Sequence, residues 1–277
     1  MTGRFHPQAT RIQPGSGSAL TYAGLEIVTL SRGETHRWQT GPDETAVVPL
    51  AGAAIVTVDG TAFELEGRES VFTGPTDFVY TPIGATGTIT ATRPGRFALC
   101  RARTDQRLEP YRVAASAVPV EVRGGGPATR QINNFLAAGV HDAAKLIAVE
   151  VITPSGGWSS YPPHKHDEFT ADEVALEEIY YFEIAAEGFG FFTAYTADGT
   201  IADTVTVRTG DAYLVPDGYH GPAAAAPGYH MYYLNVMAGP GDERVWRFCD
   251  DPAHAGLRQW LDTLPPDPRL PMMRPRS

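Results

Sequence analysis

Apolar and polar residues alternate along this chain in short runs, and most runs end on Gly, Pro or Asp. A period of two puts successive side chains on opposite faces of a strand, so the pattern predicts β structure. Residues 54–58 (AIVTV) and 61–65 (TAFEL) flank Asp59-Gly60. A two-residue Asp-Gly loop between β-rich runs predicts a hairpin, because a type I′ turn needs positive φ at both central positions. Asp198-Gly199 stands in the same way between residues 190–196 (GFFTAYT) and 201–207 (IADTVTV). A common phrase follows each hairpin. In the first half it is Thr73-Gly74, then DFVYT, then Pro82-Ile83-Gly84; in the second it is Thr209-Gly210, then DAYLV, then Pro216-Asp217-Gly218. The repeat predicts two similar β units in tandem. The join is expected within 113–128 (VAASAVPVEVRGGGPA), where proline mixes with three consecutive glycines. The expected division is therefore 1–115, 116–262 and a proline-rich extended tail at 263–277. Short helices are expected near Gln131–Ala144 and Pro252–Leu261.

Composition sharpens this picture. A length of 277 residues admits two middling domains or one large barrel, and a hydrophobic share of 43% rules out wholesale disorder. The 29 glycines and 23 prolines disfavour a helical bundle and supply the turns of an all-β fold. Two cysteines, Cys100 and Cys249, are too few for a disulfide framework or a Cys-rich metal site. The start MTGRFHPQAT has no apolar h-region, and no apolar run approaches the ~18 residues of a membrane span. The expectation is a cytoplasmic protein without membrane contact.

The net charge of −10 is unevenly placed. Residues 1–125 carry 12 arginines and 12 acidic residues, whereas 126–277 carry 10 basic and 20 acidic residues. No basic face is visible, so nucleic acid is not an expected partner. Nor is there a dinucleotide fingerprint or a P-loop. The densest acidic stretch, Asp167 to Glu187, holds eight carboxylates and no Lys or Arg. Most of these are expected at a solvated edge, with one serving a cation.

Of eight histidines, His164, His166, His220 and His230 fall within 67 residues of the second half. On a strand, His164 and His166 share a face and can converge on one ion while Lys165 points away. Glu177 and Glu178 open the β-rich run that follows, on opposite faces, and His220 follows the Pro216-x-Gly218 turn. Three imidazoles and one carboxylate suit Zn, Mn, Fe, Ni or Co with positions left for substrate. Apart from His6 near the start, the first half has His36 alone, and Thr86 where His220 stands, so it is expected to be metal-free. Strands such as Asp211–Pro216 and Tyr232–Val236, and Trp158, Trp246 and Trp260, read first as packing residues.

An HxH pair, a Glu on the next strand, and a Pro-x-Gly turn followed by His resemble the two motifs of the cupin β-barrel. The phrases TPSGGWSSYPPHKHD (153–167), LEEIYYF (176–182), GDAYLVPDGYH (210–220) and PGYHMYYLNVMAGP (227–240) are more specific. They resemble the 5-deoxyglucuronate isomerase family of myo-inositol catabolism, a sister of the 5-keto-4-deoxyuronate isomerases, best over 120–255. The resemblance implies tandem cupin jelly-roll barrels (a bicupin) and a divalent metal, Zn or Mn foremost, on His164, His166, Glu178 and His220. It departs from the family pattern at Phe192-Thr193, Gly221-Pro222 and His230, which bears on pocket contacts.

The implied reaction is the aldose–ketose isomerisation of 5-deoxy-glucuronate to 5-dehydro-2-deoxy-gluconate. It needs a Lewis acid at two adjacent oxygens, a base that moves a proton between two carbons, and a cation for the sugar acid's carboxylate. His230 and Tyr219 are the candidate bases; Arg244 and Arg130 are the candidate carboxylate contacts. Isomerisation of a related deoxy-uronate is one alternative. A cupin dioxygenase uses the same ligand set and would consume oxygen. A sugar-sensing or storage cupin would bind without turnover. Exposed barrel sheets also suit self-association into a homo-oligomer.

Overall fold

The computed structural model describes residues 3–15 and 19–272. The chain is almost entirely antiparallel β. The first sheet is built on two long strands, Asp43–Val58 and Thr86–Arg103, which pair over most of their length. Their register shifts three times between Pro49 and Ala54. Bulges of this kind bend a strand and raise its twist, so one pair of strands serves two walls of a barrel. Gly95 allows the bend: a Cβ there would lie 2.0 Å from the Ala51 carbonyl oxygen. Ala23–Leu30, Phe78–Thr81 and Tyr111–Val113 extend one wall; Thr35–Gln39 and Thr61–Arg68 extend the other.

The second half forms a seven-stranded sheet and a facing six-stranded one. The seven-stranded order is Phe5–His6, Ala212–Val215, Glu177–Ile184, Met231–Ala238, Ile147–Thr153, Arg130–Leu136 and Val120–Arg123. The facing sheet runs Ala202–Val207, Gly190–Tyr195, Tyr219–Ala225, His164–Lys165 and Cys249–Asp250, with Trp158–Ser159 paired to Tyr219–Ala225.

Three apolar cores result. Val28, Val47, Val56, Ile89 and Leu99 fill the first barrel. Val149, Phe182, Phe192, Tyr233 and Met237 fill the second. Val48, Phe78 and Cys100 pack against Leu136, Ile179 and Leu234 where the outer faces of the eight- and seven-stranded sheets meet. The central strands are therefore covered on both faces, which is why LEEIYYF and MYYLNVMA read as nearly unbroken apolar runs. Polar anchors cross this contact. Arg68 donates to Glu150, whose carboxylate also accepts from Asn133 Nδ2 (3.0 Å) and Tyr232 Oη (2.8 Å). Glu44 accepts from the backbone N–H groups of Ala144, Lys145 and Leu146.

The structure corrects several expectations. Arg130–Leu136 is a strand, with no helix near Gln131–Ala144: Gln131 and Asn133 share a face and join the buried polar network around Glu150, so tertiary pairing decides the segment. Asp59 and Gly60 have φ of 47° and 89°, as the two-residue turn requires, but the Asp198-Gly199 loop is longer, with Tyr195 paired to Ala202. The stretch 167–187 is less solvated than its charge suggests: Glu173, Glu178 and Glu183 are all buried. The first strand, Phe5–His6, pairs with Tyr213 and Ala212 and so belongs to the second unit's sheet. The helix near the C-terminus is present as Pro252–His254 and Leu257–Asp262. The tail lies along the second unit, where Met272 N donates to Gln131 Oε1; residues 273–277 lie outside the described residues. No helix among the described residues is long and apolar enough to cross a membrane.

Candidate metal and substrate site

His164 and His220 are direct partners on neighbouring strands, with ring centroids 4.5 Å apart. His166 lies two residues along, 4.8 Å from the His220 ring, and Glu178 reaches across from the seven-stranded sheet. Glu178 Oε2 lies 3.0 Å from His166 Nε2 and 3.1 Å from His220 Nε2. His166, Glu178 and His220 form the cluster whose ligand atoms lie within 4.8 Å of one another, and His164 flanks it through His220. All four side chains are buried.

The backbone sets the tautomers. Nδ1 of His164 lies 3.0 Å from the Pro162 carbonyl oxygen, Nδ1 of His166 2.9 Å from that of Leu176, and Nδ1 of His220 3.3 Å from that of Gly218. A carbonyl oxygen only accepts, so each Nδ1 carries the proton and each Nε2 turns a lone pair inward. Lone pairs aimed at a carboxylate repel it unless a positive charge lies among them. His220 Nε2 is buried without a hydrogen-bond partner. This donor set fits a divalent metal, and carbonyl-bonded Nδ1 groups are the usual support for imidazole ligands. The electrostatics agree. Burial raises the Glu178 carboxyl, but the adjacent His166 and His220 imidazoles outweigh it and hold the group at about 2. Burial lowers His166, yet Glu178 lifts it above its ordinary value; burial, then His220, push His164 well below its own.

Glu177 faces the other way. Its carboxylate accepts from the backbone N–H groups of Thr21, Tyr22 and Ala23 at 2.7–3.2 Å, tying the first unit to the edge of the second.

A small pocket of about 40 Å³ opens beside the cluster, lined by His164, Glu178, Tyr180, Ser160, Asn235, Arg130, Trp246 and Phe248 among others. Arg130 is 7% exposed, and its Nη1 donates to the Ala128 carbonyl at 3.2 Å. Burial lowers its guanidinium to about 10. Among the described residues no carboxylate forms an ion pair with this buried cation. Arg123 and Arg258 also line the pocket, but Glu121 and Asp250 hold them.

Three expected site residues lie elsewhere. Arg244 spends its guanidinium on the carbonyls of Leu146 (2.7 Å), His141 (2.8 Å) and Leu136, so it clamps loops. His230 precedes Met231, which pairs with Ile184, whereas Met237 pairs with Glu178. Six residues at ~3.3 Å put His230 at the opposite end of the barrel, where Nδ1 accepts from Ser155 N. Tyr219 alternates with His220 and faces outward, stacked on Tyr195 at 5.5 Å. Phe192, one of the departures, lies in the core, 4.5 Å from the Tyr180 ring.

Sequence reasoning missed Tyr180, Ser160, Asn235 and Trp246. Tyr180 Oη and Ser160 Oγ are 2.9 Å apart. Asn235 pairs with Tyr180 in register, and both Asn235 Nδ2 and Trp246 Nε1 are buried donors without partners. Tyr180 was legible, since it shares a strand face with Glu178; Asn235 needed the cross-strand register. Trp158 and Trp260, read as packing residues, are instead 42% and 54% exposed.

Fold and site together define a two-barrel cupin with a buried His/Glu cluster at one end of the second barrel. The chain belongs to the KduI/IolB family, whose family model matches residues 5–257. It is 42% identical over 248 residues to a 5-deoxy-glucuronate isomerase of Halalkalibacterium halodurans, covering 88% of this chain and 89% of that one. It is 41% identical over 250 residues to the 5-deoxy-glucuronate isomerase of Bacillus subtilis (strain 168), covering 89% and 90%. Among solved structures, an IolB-like protein from Salmonella typhimurium matches with TM-score 0.86 and 33% identity, over 91% of this chain and 98% of that one. An oxalate decarboxylase of Lactobacillus farciminis shares the fold at TM-score 0.66 and 14% identity, over 96% and 91%.

Proposed function

We propose that the protein is a metal-dependent aldose–ketose isomerase that converts 5-deoxy-glucuronate to 5-dehydro-2-deoxy-gluconate. The observation that carries the metal is the convergence of imidazole Nε2 lone pairs on the Glu178 carboxylate. The relatives' names carry the substrate. In this reading His164, His166, Glu178 and His220 hold one divalent ion, with Zn or Mn the first choices. Bound there, the ion would supply Lewis-acid stabilisation to the oxygens on the two adjacent carbons that exchange oxidation level. Arg130 holds the carboxylate end of the sugar acid. In this reading the Tyr180 hydroxyl, paired with Ser160, relays the proton between the two carbons, since His230 lies at the far end of the barrel and Tyr219 on its outer face. Asn235 and Trp246 donate to substrate oxygens.

Residues 1–115 form the metal-free unit and 116–262 the metal-binding one, with Phe5–His6 lent across. The working compartment is the cytoplasm, in keeping with free Cys100 and Cys249.

The test is NMR of 5-deoxy-glucuronate incubated with purified protein of measured metal content. About one divalent ion per chain is expected, with turnover lost on chelation and restored on reloading, and with no oxygen uptake. Isomerisation that survives complete metal removal overturns the reading; oxygen consumption during turnover favours a cupin dioxygenase.

A further inference from the structure

Among the described residues, seven of the nine buried side-chain nitrogen and oxygen atoms without a hydrogen-bond partner gather in two places. Three, on His220, Asn235 and Trp246, surround the site above. Four more, His36 Nε2, Trp38 Nε1, Thr81 Oγ1 and Arg101 Nε, lie in the first barrel. Leaving a buried polar atom unpaired is costly, so a cluster of them marks a place that a polar ligand would satisfy.

Strand register shows which place this is. In the second barrel Glu178 pairs with Val215, the residue before Pro216-Asp217-Gly218, and with Met237. In the first, Thr45 pairs with Thr81, the residue before Pro82-Ile83-Gly84, and with Arg101. Thr45 thus stands where Glu178 stands, Thr86 where His220 stands, and Arg101 where Met237 stands. Carboxylate and imidazole have given way to hydroxyls, and a guanidinium has entered. Arg101 and Glu26 continue the inward faces of Leu99 and Val28, and His36 that of Trp38. The Trp38 indole lies across Gly87, where a Cβ would come within 2.2 Å of it.

The opening is a depression of about 420 Å³ lined by Arg11, Glu26, His36, Arg37, Trp38 and Arg101, with Gln39 and Thr86 at the rim. Arg101 is 7% exposed and Trp38 6%. Glu26 takes one arm of Arg101 at 2.6 Å and lies 3.6 Å from His36 Nε2. Three arginines against one carboxylate leave the site positive, while Glu26 within it opposes a dianion.

We propose that this end of the first barrel is a second small-molecule site, which binds a hydroxylated monocarboxylate without transforming it. The Arg11, Arg37 and Arg101 guanidinium groups take the carboxylate, and Trp38 N–H, Gln39 and Thr86 take hydroxyls. A fixed guanidinium here supplies the positive charge that a metal supplies in the second barrel.

The test follows the Trp38 indole N–H by ¹⁵N NMR of the full-length, metal-loaded chain, with the four indole signals assigned through Trp38→Phe. D-Gluconate is the probe and sorbitol its neutral control. A saturable shift of the Trp38 signal with gluconate, absent with sorbitol, is expected both in the wild type and in His164→Ala, whose second-barrel site is disabled. Removing Arg101 alone would strand Glu26, so the deciding variant is Glu26→Gln/Arg101→Gln, in which the shift should vanish. Arg37→Ala, an exposed change that spares the fold, should raise the apparent Kd about tenfold. A Trp38 signal that stays still, that moves equally with sorbitol, or that keeps its midpoint in Arg37→Ala overturns the proposal. Because His164→Ala is included, this result stands apart from whether the second barrel isomerises anything.

Discussion

Glu177 and Glu178 are adjacent in sequence and serve opposite sides of one strand: Glu178 Oε2 lies 3.0 Å from His166 Nε2, while Glu177 accepts three backbone N–H groups from residues 21–23. Strand alternation alone separates the two roles. Glu178→Gln is expected to abolish stoichiometric metal binding and isomerisation. Glu177→Gln is expected to keep the metal and most activity but to lower stability by about 1–2 kcal/mol, since hydrogen bonds to a charged acceptor weaken. Metal analysis beside urea unfolding separates them. Equal metal loss in both would undo the assignment.

The same site sets how metal affinity depends on pH. A proton competes for an imidazole only where that imidazole holds it. In the metal-free protein His166 is raised above 6.5 by Glu178, His164 is pushed well below, and Glu178 titrates only near 2. Below the raised His166 value, one proton must leave for each metal bound, so apparent affinity falls as pH falls. Between pH 5 and 6.5 log affinity should rise with pH, with His166 contributing about one proton to the slope. A chelator competition series measures it. A slope near three would mean that all the imidazoles protonate together.

Arg130, Asn235 and the metal cluster should separate in kinetics. Arg130→Met removes the unpaired guanidinium but no metal ligand, so metal content should hold while kcat/KM drops about 10²-fold, mostly through KM. Asn235→Leu should cost about tenfold in kcat/KM and little stability, because its Nδ2 has no protein partner to lose. By contrast Arg244→Ala should destabilise the fold without a selective KM effect, since it bonds loop carbonyls. A normal KM in Arg130→Met would remove that residue from the substrate site.

How much of this was legible depended on whether a role was local. Spacing carried His164, His166 and His220; strand parity put Glu177 and Glu178 on opposite faces, and the family resemblance chose Glu178. The Asp59-Gly60 turn was legible because two positive φ values leave few residue choices. The segment 131–144 departs from its expected helix because Asn133 donates to Glu150, 17 residues further on, and Gln131 donates to Asn133, a pairing that no local propensity encodes. His230 and Arg244 were drawn to the site by residue type alone, and only register distances and carbonyl partners redirect them. Asn235 was hidden for the converse reason: an amide in an apolar run looks like an exception until its pairing with Tyr180 brings it to the pocket.

The contact between the two barrels offers a test of a different kind. Arg68 and Glu150 are both buried, and Glu150 gathers Asn133 and Tyr232 as well. Burial works against the Arg68 charge, but Glu150 and its neighbours more than offset it. Losing one member of such a pair strands the other, which costs about 3–5 kcal/mol, more than the pair is worth against neutral replacements. Arg68→Met leaves the Glu150 carboxylate with two neutral donors; Glu150→Gln leaves Arg68 with no counter-charge in direct contact. Each single variant should lower the urea midpoint sharply, and Arg68→Met/Glu150→Gln should lose less than the sum of the two. Because this cluster lies where the outer sheet faces meet, stoichiometric metal binding should persist in the folded fraction of all three. Strict additivity would mean that the packing of the sheets, and no coupling between these charges, holds the barrels together here.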